Sequence, residues 1–201
     1  MHIRTDWQLI KSQLPRIQRE SETLNISGVL VKMLIAAEDH RYGKHPGVDL
    51  ISLCRAVWRS AFCGRREGGS TIAMQLVRVI TGQYERTLGR KFAEIFLAIR
   101  ITRFVSSADL PRLYLVVAYF GWRMNGLAQA TQRLSINPSG VSELEAANIV
   151  ARLKYPEPRR SDERRLTRIR ERAIYILRRA NASLEVTACS QFKLSESNGS
   201  F

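Results

Sequence analysis

Apolar residues in this chain recur mostly three and four positions apart, the spacing of one helix face, and no segment alternates with a strand's period of two. A helix capped by Ser27 carries Val31, Leu34 and Ile35 to about Asp39. His40–Gly47 reads as a loop, broken by Gly43, Pro46 and Gly47. A second helix runs from Asp49 through Leu53, Val57 and Ala61 to near Gly64. Arg65-Arg66-Glu67 then leads into Gly68-Gly69-Ser70, where Ser70 is placed to cap a helix with Ile72, Leu76 and Ile80 on one side. Leu88 to about Phe104 reads as the most apolar helix, and Ser106-x-x-Asp109 opens another through Leu113 and Val117. Gly121–Gly126 breaks the chain before Ser142-x-x-Glu145, a capping box for a helix through Ile149 and Leu153 that Pro156 and Pro158 end. Ser161–Asn181 is an Arg-rich helix with Leu166, Ile169, Ala173, Ile176 and Leu177 on one side.

The two ends read differently. The first 25 residues are polar and mixed, with one short helix near Trp7–Ile10 stopped by Pro15, and the Ser-rich stretch beyond 181 is expected to fray. The fold expected is mainly α: an N-terminal segment 1–25, a helical domain 26–160, and a basic helix with its tail 161–201.

Charge adds a partner to this picture. Lys and Arg number 32 against 18 Asp and Glu in 201 residues, a net +14. The excess calls for an anionic partner without choosing among nucleic acid, an anionic membrane and a phosphorylated substrate. Cys54, Cys63 and Cys189 fit neither a disulfide framework nor a zinc spacing; the first two read as helix-packing thiols and the third as part of the tail. No apolar run approaches the roughly 18 residues that span a bilayer, and Met1–Asp6 lacks a signal peptide's apolar core, so no exporting or anchoring segment is expected in the chain as written.

Two carboxylates stand out on apolar faces. Glu38 follows Val31, Leu34 and Ile35 at i−7, i−4 and i−3, and Glu94 precedes Leu97, Ala98 and Ile101 at i+3, i+4 and i+7. An acid on a core-facing stripe is costly unless paired. Pairing with an arginine would explain either one. Two of them flanking a Gly-Gly-Ser turn, whose free backbone N–H groups suit an anion, fit acid/base chemistry better.

The stretches E-D-H-R-Y-G-K-H-P-G-V-D (Glu38–Asp49), G-G-S-T-I-A-M-Q-L-V-R (Gly68–Arg78) and R-K-F-A-E-I-F-L-A (Arg90–Ala98) resemble, in order and spacing, the first three motifs of the family-51 peptidoglycan glycosyltransferases. The likeness runs over roughly residues 30 to 160. It implies a lysozyme-like helical domain that polymerises lipid II, a disaccharide-peptide on undecaprenyl diphosphate, with inversion at the anomeric carbon. By the same resemblance Glu38 is the general base and Glu94 the second carboxylate, acting around the departing diphosphate. Arg55, Ser70, Thr71, Gln75, Arg78, Arg86 and Arg90 fall where the family holds sugar and phosphate groups. Arg78 stands where a Lys is usual, and a planar guanidinium suits a diphosphate. No cofactor is required by the sequence; Mg or Mn at the diphosphate is the one metal the resemblance allows for. The implied partners are lipid II, the growing glycan chain, a membrane surface and other cell-wall synthesis proteins. The implied location is the outer face of the cytoplasmic membrane, with the cytoplasm as the alternative.

Departures from the family pattern cluster in the second and fourth motifs. Met74 replaces the first of a Gln pair, Val79 an Asn, Arg112 a Glu and Val116 an Asn. Loss of polar groups beside the substrate channel points to a second reading, a relative that binds lipid II or glycan without turnover. A basic helical nucleic-acid-binding protein would explain the charge but neither glutamate, so no nucleic acid is expected; a lysozyme-type hydrolase would not need the diphosphate-suited arginines. His45 reads as a structural hydrogen-bonder, Tyr42 as packing, Trp58 and Trp122 as core or interface residues, and the Arg159–Arg179 run as a solvated face. The stretch from Phe62 through Cys63–Glu67 is expected to dip into the membrane.

Overall fold

The computed structural model describes residues 3–62, 68–85 and 87–197, with side chains given for all of these except 57, 60–62 and 183–197. The chain order is α1 (Ile3–Leu24), α2 (Gly28–Glu38), α3 (Leu50–Phe62), α4 (Ile72–Thr81), α5 (Leu88–Ile101), α6 (Leu110–Val117), β1 (Tyr119–Gly121), β2 (Met124–Asn125), α7 (Leu127–Leu134), α8 (Glu143–Lys154) and α9 (Glu163–Ser197). The mainly α expectation holds, with one small antiparallel β1–β2 hairpin that no alternation announced.

Local capping sets most boundaries. Ser27 accepts from Val29 N at the start of α2, and Ser142 and Glu145 form the expected reciprocal box at α8. Ser106 and Asp109 bond each other ahead of α6. The expected stop at Pro15 is corrected: α1 runs through it for 22 residues. Trp7, Ile10, Leu14 and Ile17 form a buried stripe that packs on α4, α5 and α6. That packing outweighs the roughly 3 kcal/mol an interior proline costs. Beyond 181 α9 continues as helix to Ser197, a stretch that contains neither Gly nor Pro.

The core is one cluster running from Trp7 of α1 to Ala180 of α9. α2 lies inside it with Leu30, Met33 and Leu34 fully buried, packed on α8 and α9, while α4 packs between α5, α6 and α1. Burying side chains such as Ile72 and Leu76 is worth about 1.5–3 kcal/mol each. The C-terminal end of α2 and the first turns of α4 are thereby rigid, and both carry candidate site residues.

Candidate active site

The loop after α2 is pinned at several points. The buried Asp39 carboxylate bonds His45 Nε2 at 3.0 Å and accepts from Ile72 N at the head of α4. The Tyr42 hydroxyl donates to Ser107 O, in line with its packing role. Gly47 sits at φ +93° with Thr102 Cγ2 and Ala98 O where a Cβ would lie, so only glycine lets the loop press against α5. Asp49 caps α3, accepting from Ile51 N, Ser52 N and the Ser52 hydroxyl, and pairs with Arg41 at 2.9 Å. Burial alone would raise its pKa, but the Ser52 bonds and Arg41 hold it below the usual carboxylate value.

The Gly-Gly-Ser turn works differently from its sequence reading. Neither Gly68 nor Gly69 has positive φ; a Cβ on Gly69 would meet Ala56 Cβ at 2.9 Å, so the glycine admits α3. The cap of α4 is Thr71 and not Ser70: its hydroxyl accepts from Met74 N and donates to Gly47 O at 2.6 Å. Thr71 is therefore buried structure, and Ser70 is left to accept from Arg78 Nη2 at 3.1 Å and Lys91 Nζ at 2.9 Å.

Glu38, the last residue of α2, lines a groove of about 790 Å³. Its Oε2 accepts from Gln75 Nε2 at 3.0 Å, and its Oε1 lies 3.7 Å from Arg172 Nη2, leaving the side chain 20% exposed. Arg172 also donates to Ala37 O at 3.0 Å, while its buried Nε has no hydrogen-bond partner among the described residues. Arg172 was missed in the sequence, where α9 read as a solvated face. The signal was there: Ile169 and Ile176, at i−3 and i+4, put Arg172 on the flank of the buried stripe. Burial, then the charge of Glu38, raises the pKa of Tyr114 far above the usual tyrosine value, so its hydroxyl stays protonated.

Glu94 has the opposite surroundings. It is 3% exposed and is absent from the residues lining the groove, where Glu38 stands. Arg78 grips it with Nη2 at 2.7 Å and Nε at 3.2 Å, Arg90 pairs with it one turn away, and Lys91 Nζ lies at 3.2 Å. Burial lowers the Lys91 pKa, with Glu94 opposing and Arg78 and Arg90 adding to the effect. Arg78 links the two regions, since it lines the groove and also the small void at Glu94.

Arg55, Ser70, Gln75 and Arg78 face the groove; Arg90 is committed to Glu94, and Arg86 lies outside the described residues. Arg59, Lys154, Arg172 and Arg179 join them, so among the described residues six cations line the groove and Glu38 is its one lining carboxylate. His40 stands at the same wall with its pKa lowered, first by burial and then by Arg179 and Arg55. A groove of this kind receives polyanions. Among the described residues no three of His, Cys, Asp and Glu gather as a metal site.

The motif departures prove to lie away from this wall. Met74 is fully buried in the core, and Val79 and Val116 line a separate hollow against α1. Trp58 is 62% exposed, outside the core, and Cys54 on the same helix is exposed and not a packing thiol as expected. The expected membrane-dipping stretch, Phe62 with Cys63–Glu67, lies outside the described side chains. Exposed apolar residues do stand on α3 (Leu50, Ile51, Trp58) and on one stripe of α5 (Leu88, Phe92, Phe96).

The sequence pattern of the transglycosylase family matches residues 8–181, nearly the whole helical body. The chain belongs to the transglycosylase family. Among its relatives, penicillin-binding protein 1A of Escherichia coli is 42% identical over 104 residues, 51% of this chain and 12% of that protein. Penicillin-binding protein 1A of Rickettsia prowazekii is 33% identical over 162 residues, 77% of this chain and 20% of that protein. Penicillin-binding protein 1C of Escherichia coli is 32% identical over 140 residues, 69% and 18% respectively. The chain thus spans no more than about a fifth of the length of these relatives. No helix among its described residues is long and apolar enough to cross a membrane.

Proposed function

We propose that this transglycosylase polymerises lipid II into glycan strands, with Glu38 as the general base. The observation that carries the reading is the Glu38 carboxylate, held by Gln75 and Arg172 yet open to a groove lined by cations. In the proposed step the acceptor sugar's 4-hydroxyl oxygen attacks the anomeric carbon of the growing chain and gives its proton to Glu38. The bond from that carbon to the diphosphate oxygen breaks, and the lipid diphosphate leaves with the bonding pair, inverting the centre. On this reading Arg78, which lines the groove, and Lys91, which shares Ser70 with it, receive the leaving group, and their bonds to Glu94 support that role. Glu94 therefore acts through its cations.

Among the described residues Glu38 is the one carboxylate lining the groove, against six cations, so these donors by themselves do not make a Mg or Mn site. Charge compensation falls to the arginines and lysines, and no step runs through a metal. The exposed apolar residues on α3 and α5 suit a membrane surface carrying the lipid-linked substrate. Work at the outer face of the cytoplasmic membrane, beside other cell-wall synthesis proteins, follows from the same reading.

The test is Glu38→Gln, which keeps the shape of the side chain and cannot take a proton. Glycan synthesis from lipid II should fall by roughly 10²–10⁴-fold while lipid II binding persists. A wild type that binds lipid II in detergent without turnover would replace this reading with a binding role.

A further inference from the structure

Trp122 lies half-buried just past β1, and three guanidinium groups gather on its ring. Arg123, from the hairpin turn, stands 4.4 Å from the ring centroid; Arg133, of α7, stands at 5.0 Å; and Arg159, beyond α8, at 6.0 Å. They come from three separate elements and all three are exposed. Among the described residues none of them has a carboxylate partner. The acid nearest the hairpin by backbone is Glu157, which bonds Phe120 O and Trp122 N through its main chain, and its carboxylate goes to Arg152 at 2.8 Å. Gly121, at φ +135° with Glu157 N where a Cβ would lie, keeps the hairpin in that position.

Three cations around one indole repel one another, and attraction of exposed guanidinium groups to a half-buried ring is weak. An anion among them removes the imbalance, and planar guanidinium groups favour a carboxylate gripped by two parallel N–H bonds. We propose that Trp122, Arg123, Arg133 and Arg159 form a second anion site, outside the groove, that takes the carboxylates of peptide stems on the glycan strand. The inference rests on the lipid II reading given above. Lys154 lines the groove at the end of α8 and Arg159 follows five residues later, so at most about 18 Å of chain separates the groove wall from the site. A polymer lying in the groove can reach both. An acidic bilayer is the less suitable occupant. The hairpin packs on α7 and α8, whereas α5, which carries an exposed apolar stripe, packs on α1 and α4.

The experiment measures binding of labelled, uncrosslinked glycan strands to the wild-type chain and to an Arg123→Gln, Arg133→Gln, Arg159→Gln variant. Peptide-bearing strands should bind the variant roughly tenfold more weakly, the scale of a few exposed charge pairs. Strands stripped of their peptides should bind the wild type as weakly as the variant does. Arg→Lys at the same three positions, which keeps the charges and loses the paired N–H geometry, should fall between. Inorganic pyrophosphate serves as the separate probe of the groove: Arg78→Ala should lose it and the triple variant should keep it. Loss at Arg78 alone therefore tests the lipid II reading, and loss of strand affinity tests this site. Equal affinity of variant and wild type for peptide-bearing strands overturns the proposal. So does equal affinity of the wild type for stripped strands, or a triple-variant defect seen only with phosphatidylglycerol vesicles.

Discussion

Replacing Glu94 by Gln removes the one negative charge that three cations share. Glu94 is 3% exposed, and the exposures of Arg90, Lys91 and Arg78 are 14, 24 and 27%. The amide presents one acceptor and turns an N–H₂ group towards cations. Breaking a buried ion pair costs about 3–5 kcal/mol, and the partial hydration of Lys91 and Arg78 places this case near 3. For a chain of this size each kcal/mol shifts the melting temperature by about 2–4 °C, so a fall on the order of 6–12 °C is expected in a thermal scan at neutral pH. The cations freed from Glu94 should then bind an external anion more tightly. Inorganic pyrophosphate at 100 times its dissociation constant adds about 2.7 kcal/mol, and it should restore most of the loss. A variant that melts with the wild type would refute the reasoning. So would one that pyrophosphate stabilises no more than it stabilises the wild type.

Three further outcomes are expected. Met74→Gln, which returns a polar residue to the family's Gln pair, buries an amide at a fully enclosed position and should lower stability by about 1–3 kcal/mol without raising activity, read by denaturant unfolding beside a lipid II assay. Asp49 has a lowered folded-state pKa, so the stability it adds is present above the unfolded value of 3.8 and is lost as the pH falls through the folded one. Acid titration of unfolding should therefore show a loss below about pH 4 in the wild type that Asp49→Asn lacks. Phe92→Ser with Phe96→Ser should abolish flotation with anionic liposomes at high salt, where the basic surface is screened, and only weaken it at low salt.

What the sequence made legible was local. Ser27, Ser142 with Glu145, and Ser106 with Asp109 announce helices because a cap is a contact between residues two or three apart. The apolar stripes beside Glu38 and Glu94 marked both as residues needing an explanation. A one-dimensional stripe cannot say whether such a side chain ends in a groove or among cations, and here the two glutamates divide between those outcomes. Pro15 misled for the complementary reason: its penalty is local, and the packing of Trp7, Ile10 and Ile17 that overrides it is not. Met74 misled because a family position carries no burial with it. The same stripe argument used for the glutamates, applied to Arg172 between Ile169 and Ile176, would have found the cation beside Glu38.

The unequal surroundings of the two carboxylates restrict what each can do. A general base needs an oxygen that a substrate hydroxyl can approach to about 2.6–3.2 Å. Glu38, with a neutral Gln75 on one oxygen and Arg172 at 3.7 Å from the other, keeps such an approach from the groove. Glu94 has none, since Arg78, Arg90 and Lys91 occupy both of its oxygens. The arginine at position 78 makes this division workable. Its Nε and Nη2 grip Glu94 as a fork while the same Nη2 reaches Ser70 on the groove side. A lysine, with one nitrogen, cannot span both partners in that way. With Arg78 anchored inside and Lys91 beside it on Ser70, positive charge is fixed at the groove wall before any anion arrives, which is the preorganisation that the proposed diphosphate departure calls for.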